Sequence, residues 1–260
     1  MPHTLFPTLS ACALCATTTA PLHQSHLLPN FLFKRLREPA GHFYSMSVPQ
    51  KPLQRGAVAR MLCFECEQVL SQWEGHVQQT FFPHGSGPFL PIKYGTWLQL
   101  FATSISWRCL TFLKHATTNP YVTLSQAAHQ LLPTLPPNTR EQAEGVRIGW
   151  GAAINRRSAS VGQNDQHVLF LNGENFTGER SGIVGFTVCH TEHLTAVFSQ
   201  LGPLCVVGVI EDKQPADWKN TTVQSLGGKF HVTRQRLPEH FADWLKRYFA
   251  AITQIEASQL

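Results

Sequence analysis

Hydrophobic positions along the chain recur with two clear periods. From about Thr96 to His115, WLQLFATSISWRCLTFL is apolar almost all round, which predicts a long buried helix. Upstream, Glu67, Leu70, Trp73, Glu74 and Val77 follow helical spacing. A shorter helix is predicted near Leu124–Leu132, and another beginning after Asn138 as N-cap and running through REQAEGVRIGWGAAINRR. LPEHFADWLKRYFAAITQIE closes the chain as an amphipathic helix whose Phe241, Trp244, Leu245, Tyr248 and Ile252 share one face. Between the last two helices the pattern shortens. VLFLNGE, GIVGFTVCH, LTAVFSQL, LCVVGVIED and KFHVTR are β-rich runs separated by turn residues, and they predict five strands of one mostly antiparallel sheet. The fold class expected from this order is α+β.

Turn-forming residues divide the chain. Residues 39–56 are rich in Pro, Gly and Ser and predict a long loop, and 81–93 (FFPHGSGPFLPIK) predict a linker. Two domains follow as the expectation, one over 1–80 and a helical plus β-rich one over 94–260. Residues 1–11 are expected to be a loose tail.

Composition narrows the function classes. Hydrophobic residues make up 43% of the 260, so the chain is globular rather than disordered. Charged residues are only 14%, against about 25% in an average soluble domain. So few charges leave an apolar surface that suits a protein partner or a second copy as a homodimer. No run reaches the 18 or so apolar residues of a membrane span, and no membrane association is expected. The net charge of +5 permits a nucleic-acid partner without requiring one. Leu9-Ser10-Ala11-Cys12 has the look of a lipoprotein cleavage box, but residues 1–11 carry no Lys or Arg and their apolar stretch is short, so a cytoplasmic location is expected.

Seven cysteines are an odd number for a disulfide framework. Cys109, Cys189 and Cys205 stand singly in apolar contexts and are expected to be buried small hydrophobes. The other four form two tight pairs, Cys12-x-x-Cys15 and Cys63-x-x-Cys66. Two intervening residues let a turn aim both sulfurs inward, so the pairs predict one tetrahedral structural Zn²⁺. The second pair opens a helix, whose N-terminal dipole favours thiolates. A cysteine knuckle, a hairpin and a second pair at a helix start together describe a treble clef, that is, a ββα-metal-like N-terminal domain.

CALC, SHLLPNFLFKRL and LCFECEQVLSQWE, spanning about residues 12–75, resemble the zinc-bearing HNH endonuclease group. They look closest to a set of bacterial and phage-linked proteins with a Ser-His-Ile-Ile-Pro motif and a Cys-x-x-Cys-Glu helix. The resemblance implies a metal-dependent nuclease acting in phage defence or mobile-element biology, with DNA favoured over RNA. It makes His26 the general base that takes a proton from the attacking water, a task suited to imidazole. Glu67 stands where the group has a final His or Asn, and a carboxylate there suits a catalytic Mg²⁺ or Mn²⁺, hard cations that take oxygen donors. Three positions depart from the group's pattern. Ser25 stands where the group has a metal-binding Asp, Val58 where it usually has Asn, and Ala16 where the knuckle usually has Gly. These departures favour a second reading, a non-catalytic zinc-stabilised module that binds nucleic acid or protein.

Basic residues add to the first reading. Lys34, Arg35 and Arg37 follow the HNH-like stretch, and Arg55 and Arg60 precede the second cysteine pair, where a nuclease needs a rim for phosphates. Lys229, Arg234 and Arg236 offer an extension of that groove. His23 is expected to be structural. Cys189, His190 and His193 form a weaker metal candidate, and His167 a modest site candidate. HGSGP at 84–88 lacks the Lys-Ser/Thr ending of a phosphate loop. No motif in the C-terminal region supports a named reaction.

Overall fold

The computed structural model describes residues 9–37, 43–45, 48–53, 56, 58–82, 92–115, 135–158, 166–170, 184–231 and 234–257. The chain is α+β, with antiparallel strand pairing throughout the described residues. The elements run β1 (Leu22–His26), α1 (Asn30–Arg37), β2 (Phe43–Ser45), β3 (Val48–Leu53), β4 (Val58–Cys63) and α2 (Phe64–Phe81). There follow β5 (Ile92–Tyr94), α3 (Thr96–His115), α4 (Pro137–Asn155), β6 (Gln166–Phe170), β7 (Val184–His190), β8 (Leu194–Leu201), β9 (Leu204–Asp212), β10 (Gly228–Phe230) and α5 (Glu239–Ala257).

The apolar helix expected at 96–115 is present and central. Every residue from Leu98 to Leu113 in α3 is buried. Two of its polar members are satisfied within the helix and one across to β6: Thr103 donates to the Gln99 carbonyl, Ser104 to that of Phe101, and Ser106 to Gln166 Oε1 at 2.9 Å. α3 lies between α2, α4 and one face of a four-stranded sheet of order β6-β9-β8-β7. Period-2 alternation assigns the faces. Val197, Leu204 and Val206 belong to the α3 side, and Ala196, Phe198, Cys205 and Val207 pack with Phe241, Leu245 and Phe249 of α5. Both faces are covered, which explains why β8 and β9 read as nearly continuous apolar runs rather than as alternating ones. Gly208 sits where β9 comes closest to the helices. A Cβ there would collide with Ser106 and Trp150, so the layer spacing requires glycine.

Three expectations are corrected. Residues 39–56 are not wholly loop, because β2 and β3 pair antiparallel, Phe43 opposite Leu53. Both strands of a two-stranded ribbon are edges, so Pro49 and Pro52 are tolerated there. The helix expected after Asn138 begins two residues earlier, with Pro136 at the cap and Pro137 inside, and no side chain caps it. Proline suits the first turn because its missing N–H would have found no partner there. The KFHVTR strand does not join the large sheet. Thr221–Val223 already pair along β6, through Val168 N–H to Thr221 O and Val223 N–H to Gln166 O. The chain then turns at Gly227, whose φ of 88° suits glycine, and β10 pairs with β5 instead. The helix expected at 124–132 and most of the 81–93 linker lie outside the described residues.

One buried apolar cluster runs from the N-terminal segment into the rest of the chain. It holds Leu27, Met61 and Leu70 together with Leu98, Phe101, Trp107 and Val206. A charged contact crosses the same boundary. Arg108 of α3 is 1% exposed. It donates to the carbonyl of His26 at 2.7 Å and to Glu74 Oε1 of α2 at 2.7 Å. Burial pushes the Glu74 carboxyl above its usual range, and the Arg108 guanidinium partly opposes that. Removing one partner of such a pair strands a charge in the interior. Arg108→Met is therefore expected to destabilise the fold by about 3–5 kcal/mol, while Arg108→Met combined with Glu74→Gln recovers much of the loss. Denaturant titrations of both variants check this, and equal losses in the two would refute the pairing.

Candidate metal centre and adjoining residues

The residues around the first cysteine pair form a tight turn. Ala16 N–H donates to Cys12 O, Cys12 N–H to Thr17 O, and Ala13 N–H to Met61 O, which ties the turn to β4. Ala16 takes φ 60° without being glycine, a left-handed conformation that costs an L-residue about 1–2 kcal/mol. The knuckle thus keeps the shape that glycine usually serves. The second pair lies where β4 runs directly into α2: Cys63 is the extended N-cap residue, and Cys66 is in the first turn.

The four cysteine sulfurs lie within 4.8 Å of one another. Cys15 Sγ and Cys63 Sγ are 3.7 Å apart. A tetrahedron of 2.3 Å Zn–S bonds spaces its sulfurs by about 3.8 Å, so the donor set fits a metal ion such as zinc. Cys12 Sγ also accepts the Cys63 N–H at 3.4 Å. No disulfide joins any of the seven cysteines. Burial raises the Cys12 thiol, but the backbone N–H groups of Cys15, Cys63 and Leu14 outweigh it, and the net displacement is downward. Burial pushes Cys63 up to about 11, and Cys66 is pushed higher still by burial and then by the neighbouring sulfurs. Four thiolates this close need a cation, and binding one releases the protons that the free thiols hold. Cys15 is exposed and faces a cleft of about 470 Å³ that Thr17, Glu65, Asn155 and Arg157 also line.

β1 pairs antiparallel with β4, and α2 follows β4 without a break. His26 ends β1, half-buried, with its carbonyl held by Arg108. Val58 is its register partner on β4, and Ser25 pairs with Ala59. Ser25 is fully buried, and its Oγ meets no hydrogen-bond partner among the described residues. Glu67 follows Cys66 in the first turn of α2, and its Oε1 is likewise buried and unpartnered. Glu67 and Glu74 are seven residues apart and therefore share a helix face. Their charges interact, and Glu74 is the one that Arg108 engages. Sequence reading missed Arg108 and the pairing role of Glu74. The available signal was a lone arginine inside an otherwise apolar helix, which has to find a carboxylate or carbonyls.

Of the basic candidates, Lys34 on α1 and Arg60 on β4 are exposed. Arg35 and Arg37 belong to α1, and their side chains lie outside the description, as does Arg55. His23 is exposed and tilts against Phe64 at 5.8 Å. Cys109, Cys189 and Cys205 are fully buried, as expected for small hydrophobes. Among the described residues the four N-terminal cysteines form the metal-capable cluster. Cys189, His190 and His193 do not come together as a second one, and His190 Nδ1 instead bonds Thr195 Oγ1 at 2.9 Å. Residues 84–88 lie outside the described residues. His167 is 4% exposed, stacks on Trp218 at 4.1 Å and bonds Thr221 Oγ1 at 3.0 Å. Burial depresses it to about 3. It is packed as a neutral core ring.

No family model, curated protein or solved structure matches the chain. No described helix is long and apolar enough to cross a membrane.

Two measurements test these assignments, the first of them the metal centre. Purified protein is expected to carry one Zn²⁺, to release it to a chelator, and to lose it in Cys66→Ser. Because structural zinc contributes on the order of 10 kcal/mol in small zinc modules, metal loss should unfold the β1–β4–α2 segment. Metal analysis with circular dichroism reads both effects, and an unchanged spectrum after stripping would refute the structural role. The second concerns His167, whose folded value lies below its unfolded one. The unfolded chain takes up a proton below about pH 6.5 that the folded chain refuses until about pH 3. Stability is therefore present above that window and falls through it by up to about 1.4 kcal/mol per pH unit. Urea midpoints against pH should show a shallower decline in His167→Gln than in the parent.

Proposed function

We propose that the chain is an HNH-like, metal-dependent nuclease in which a zinc-held treble clef carries the reactive residues. The observation that carries this reading is the orphaned Oε1 of Glu67, a buried carboxylate oxygen one residue after the cysteine cluster and unclaimed by any described side chain. Buried carboxylates are rarely left so, and a bound cation would satisfy it. The strand–strand–helix order around the four cysteines also supports the reading, with His26 at the end of β1.

Glu67 would hold Mg²⁺ or Mn²⁺, and Ser25, with its unpartnered hydroxyl, is the nearest replacement in sequence for the Asp that the resemblance calls for. The cation would polarise the phosphodiester and stabilise charge on the departing oxygen. His26 accepts the proton of the attacking water. Arg108 fixes the peptide that carries the imidazole, through the 2.7 Å bond to its carbonyl. The rim would draw on Lys34 and Arg60, both exposed, to hold nucleic-acid phosphates, with DNA favoured over RNA.

The second reading is a non-catalytic zinc-stabilised module that binds nucleic acid or protein. Val58 favours it, because an aliphatic side chain stands in register with His26 where the resemblance calls for Asn. A cleavage assay separates the two. Zinc-loaded protein is expected to nick supercoiled plasmid with Mg²⁺ or Mn²⁺. His26→Ala should slow cutting by about 10²–10⁴-fold, the usual worth of a general base. Glu67→Gln should raise the metal concentration needed. Absence of cutting, or cutting unchanged in His26→Ala, leaves the binding module.

A further inference from the structure

The small ribbon of β5 and β10 carries a feature outside the residues discussed so far. Lys93 and Lys229 are direct register partners in it, and both are exposed. Like charges directly opposite one another destabilise a strand pair. Neither ammonium meets a carboxylate among the described residues, where the ion pairs involve Arg108, Lys114, Arg147 and Lys246. The opposite face of the ribbon is closed: the buried Tyr94 accepts the backbone N–H of Gln224 at its phenolic oxygen, and a Cβ on Gly228 would touch that same oxygen. Alternation along the strand therefore turns both lysines to the outer face.

The same face continues into aromatic rings. Gly95 follows Lys93 by two residues and shares its side, and a Cβ on Gly95 would meet the Trp97 ring at 3.3 Å. The indole thus lies over the strand end. His76 of α2 stacks on it, with ring centroids 5.5 Å apart and planes 21° from parallel. Trp97 is half-buried against Phe81, while His76 is exposed and presents an outer ring face. Two uncompensated cations beside a stacked aromatic step fit a strand whose phosphates and unpaired bases are both accessible.

We propose that Lys93, Lys229 and the His76–Trp97 stack form a contact surface for single-stranded nucleic acid. The surface rests on the nucleic-acid part of the reading above, and not on its chemistry. The lysines neutralise two backbone phosphates, and a base stacks on the exposed imidazole face. A duplex would offer the phosphates but hide the base faces.

Binding is read by fluorescence anisotropy of a labelled oligothymidylate on the zinc-loaded full chain, without Mg²⁺ or Mn²⁺, across a salt series. Lys93→Gln combined with Lys229→Gln is expected to weaken binding about tenfold and to flatten the slope of log K against log salt by about 1.4, at 0.7 per single-strand phosphate contact. His76→Ala, at an exposed position, should weaken it about fivefold with the slope unchanged. The double variant should melt at or above the parent, since it removes a repulsion, and His76→Ala, at an exposed position, close to it. The proposal is overturned if the parent does not bind, if the double variant binds as the parent does, if a duplex binds as tightly with the same loss in His76→Ala, or if polyglutamate competes equally for the lysines. Binding without any cleavage removes the nuclease chemistry and leaves this surface standing. Cleavage with unchanged binding in the variants removes the surface and leaves the chemistry.

Discussion

A guanidinium at 1% exposure makes a demand on the surrounding chain, and around Arg108 two elements answer its terminal nitrogens. The end of β1 offers a carbonyl, α2 offers the Glu74 carboxylate, and α3 supplies the arginine itself from the most buried helix of the chain. Each contact is 2.7 Å long, and both are charge-assisted. The geometry ties the hairpin that bears His26 to the helix that bears Glu67 through a residue 82 positions downstream of the first. The cysteine cluster meets the same two elements at the other end of β4, through Cys63 and Cys66. The buried ion pair holds the segment at one point, and a metal on the four sulfurs would hold it at a second.

How far the sequence speaks for the fold depends on where each segment's hydrogen bonds and apolar groups go. α3 was legible because burial on all sides writes itself as an uninterrupted apolar run. β7, β8 and β9 were legible for the same reason, since each is covered on both faces. α5 was legible because one stripe, Phe241, Leu245 and Phe249, meets the sheet. β10 was misassigned because strand-forming residues do not state their partner. Thr221–Val223 had taken the edge of β6, a fact of tertiary pairing with no local signal. β3 was hidden by its two prolines, and β2 with it, because proline excludes a central strand but not a two-stranded ribbon.

The site divides in the same way. The four cysteines were legible because tetrahedral ligation constrains spacing directly. His26 and Glu67 were singled out only through the resemblance, which says nothing of the contacts each makes in the fold. Val58 is a departure in the sequence, and the register makes it a neighbour of His26 rather than a remote substitution. Arg108 carries no motif at all. Its meaning lies in a contact across 82 residues, and only the burial of its neighbours makes that contact obligatory.

Two carboxylates on one face of α2 meet different fates, and the difference bears on chemistry. Glu74 is buried against Arg108, so its charge is answered and its oxygen is engaged at 2.7 Å. Glu67, two turns nearer the cysteines, has a buried oxygen with no such answer. Had Arg108 lain where it could reach Glu67, that oxygen would be an ordinary member of an ion pair and unavailable to a cation. Because the guanidinium is committed to Glu74 and to the His26 carbonyl, Glu67 keeps an oxygen without a partner among the described residues, one position after the metal-capable cysteines. The ion pair that stabilises the interior thus also leaves a buried carboxylate oxygen unclaimed on the same helix.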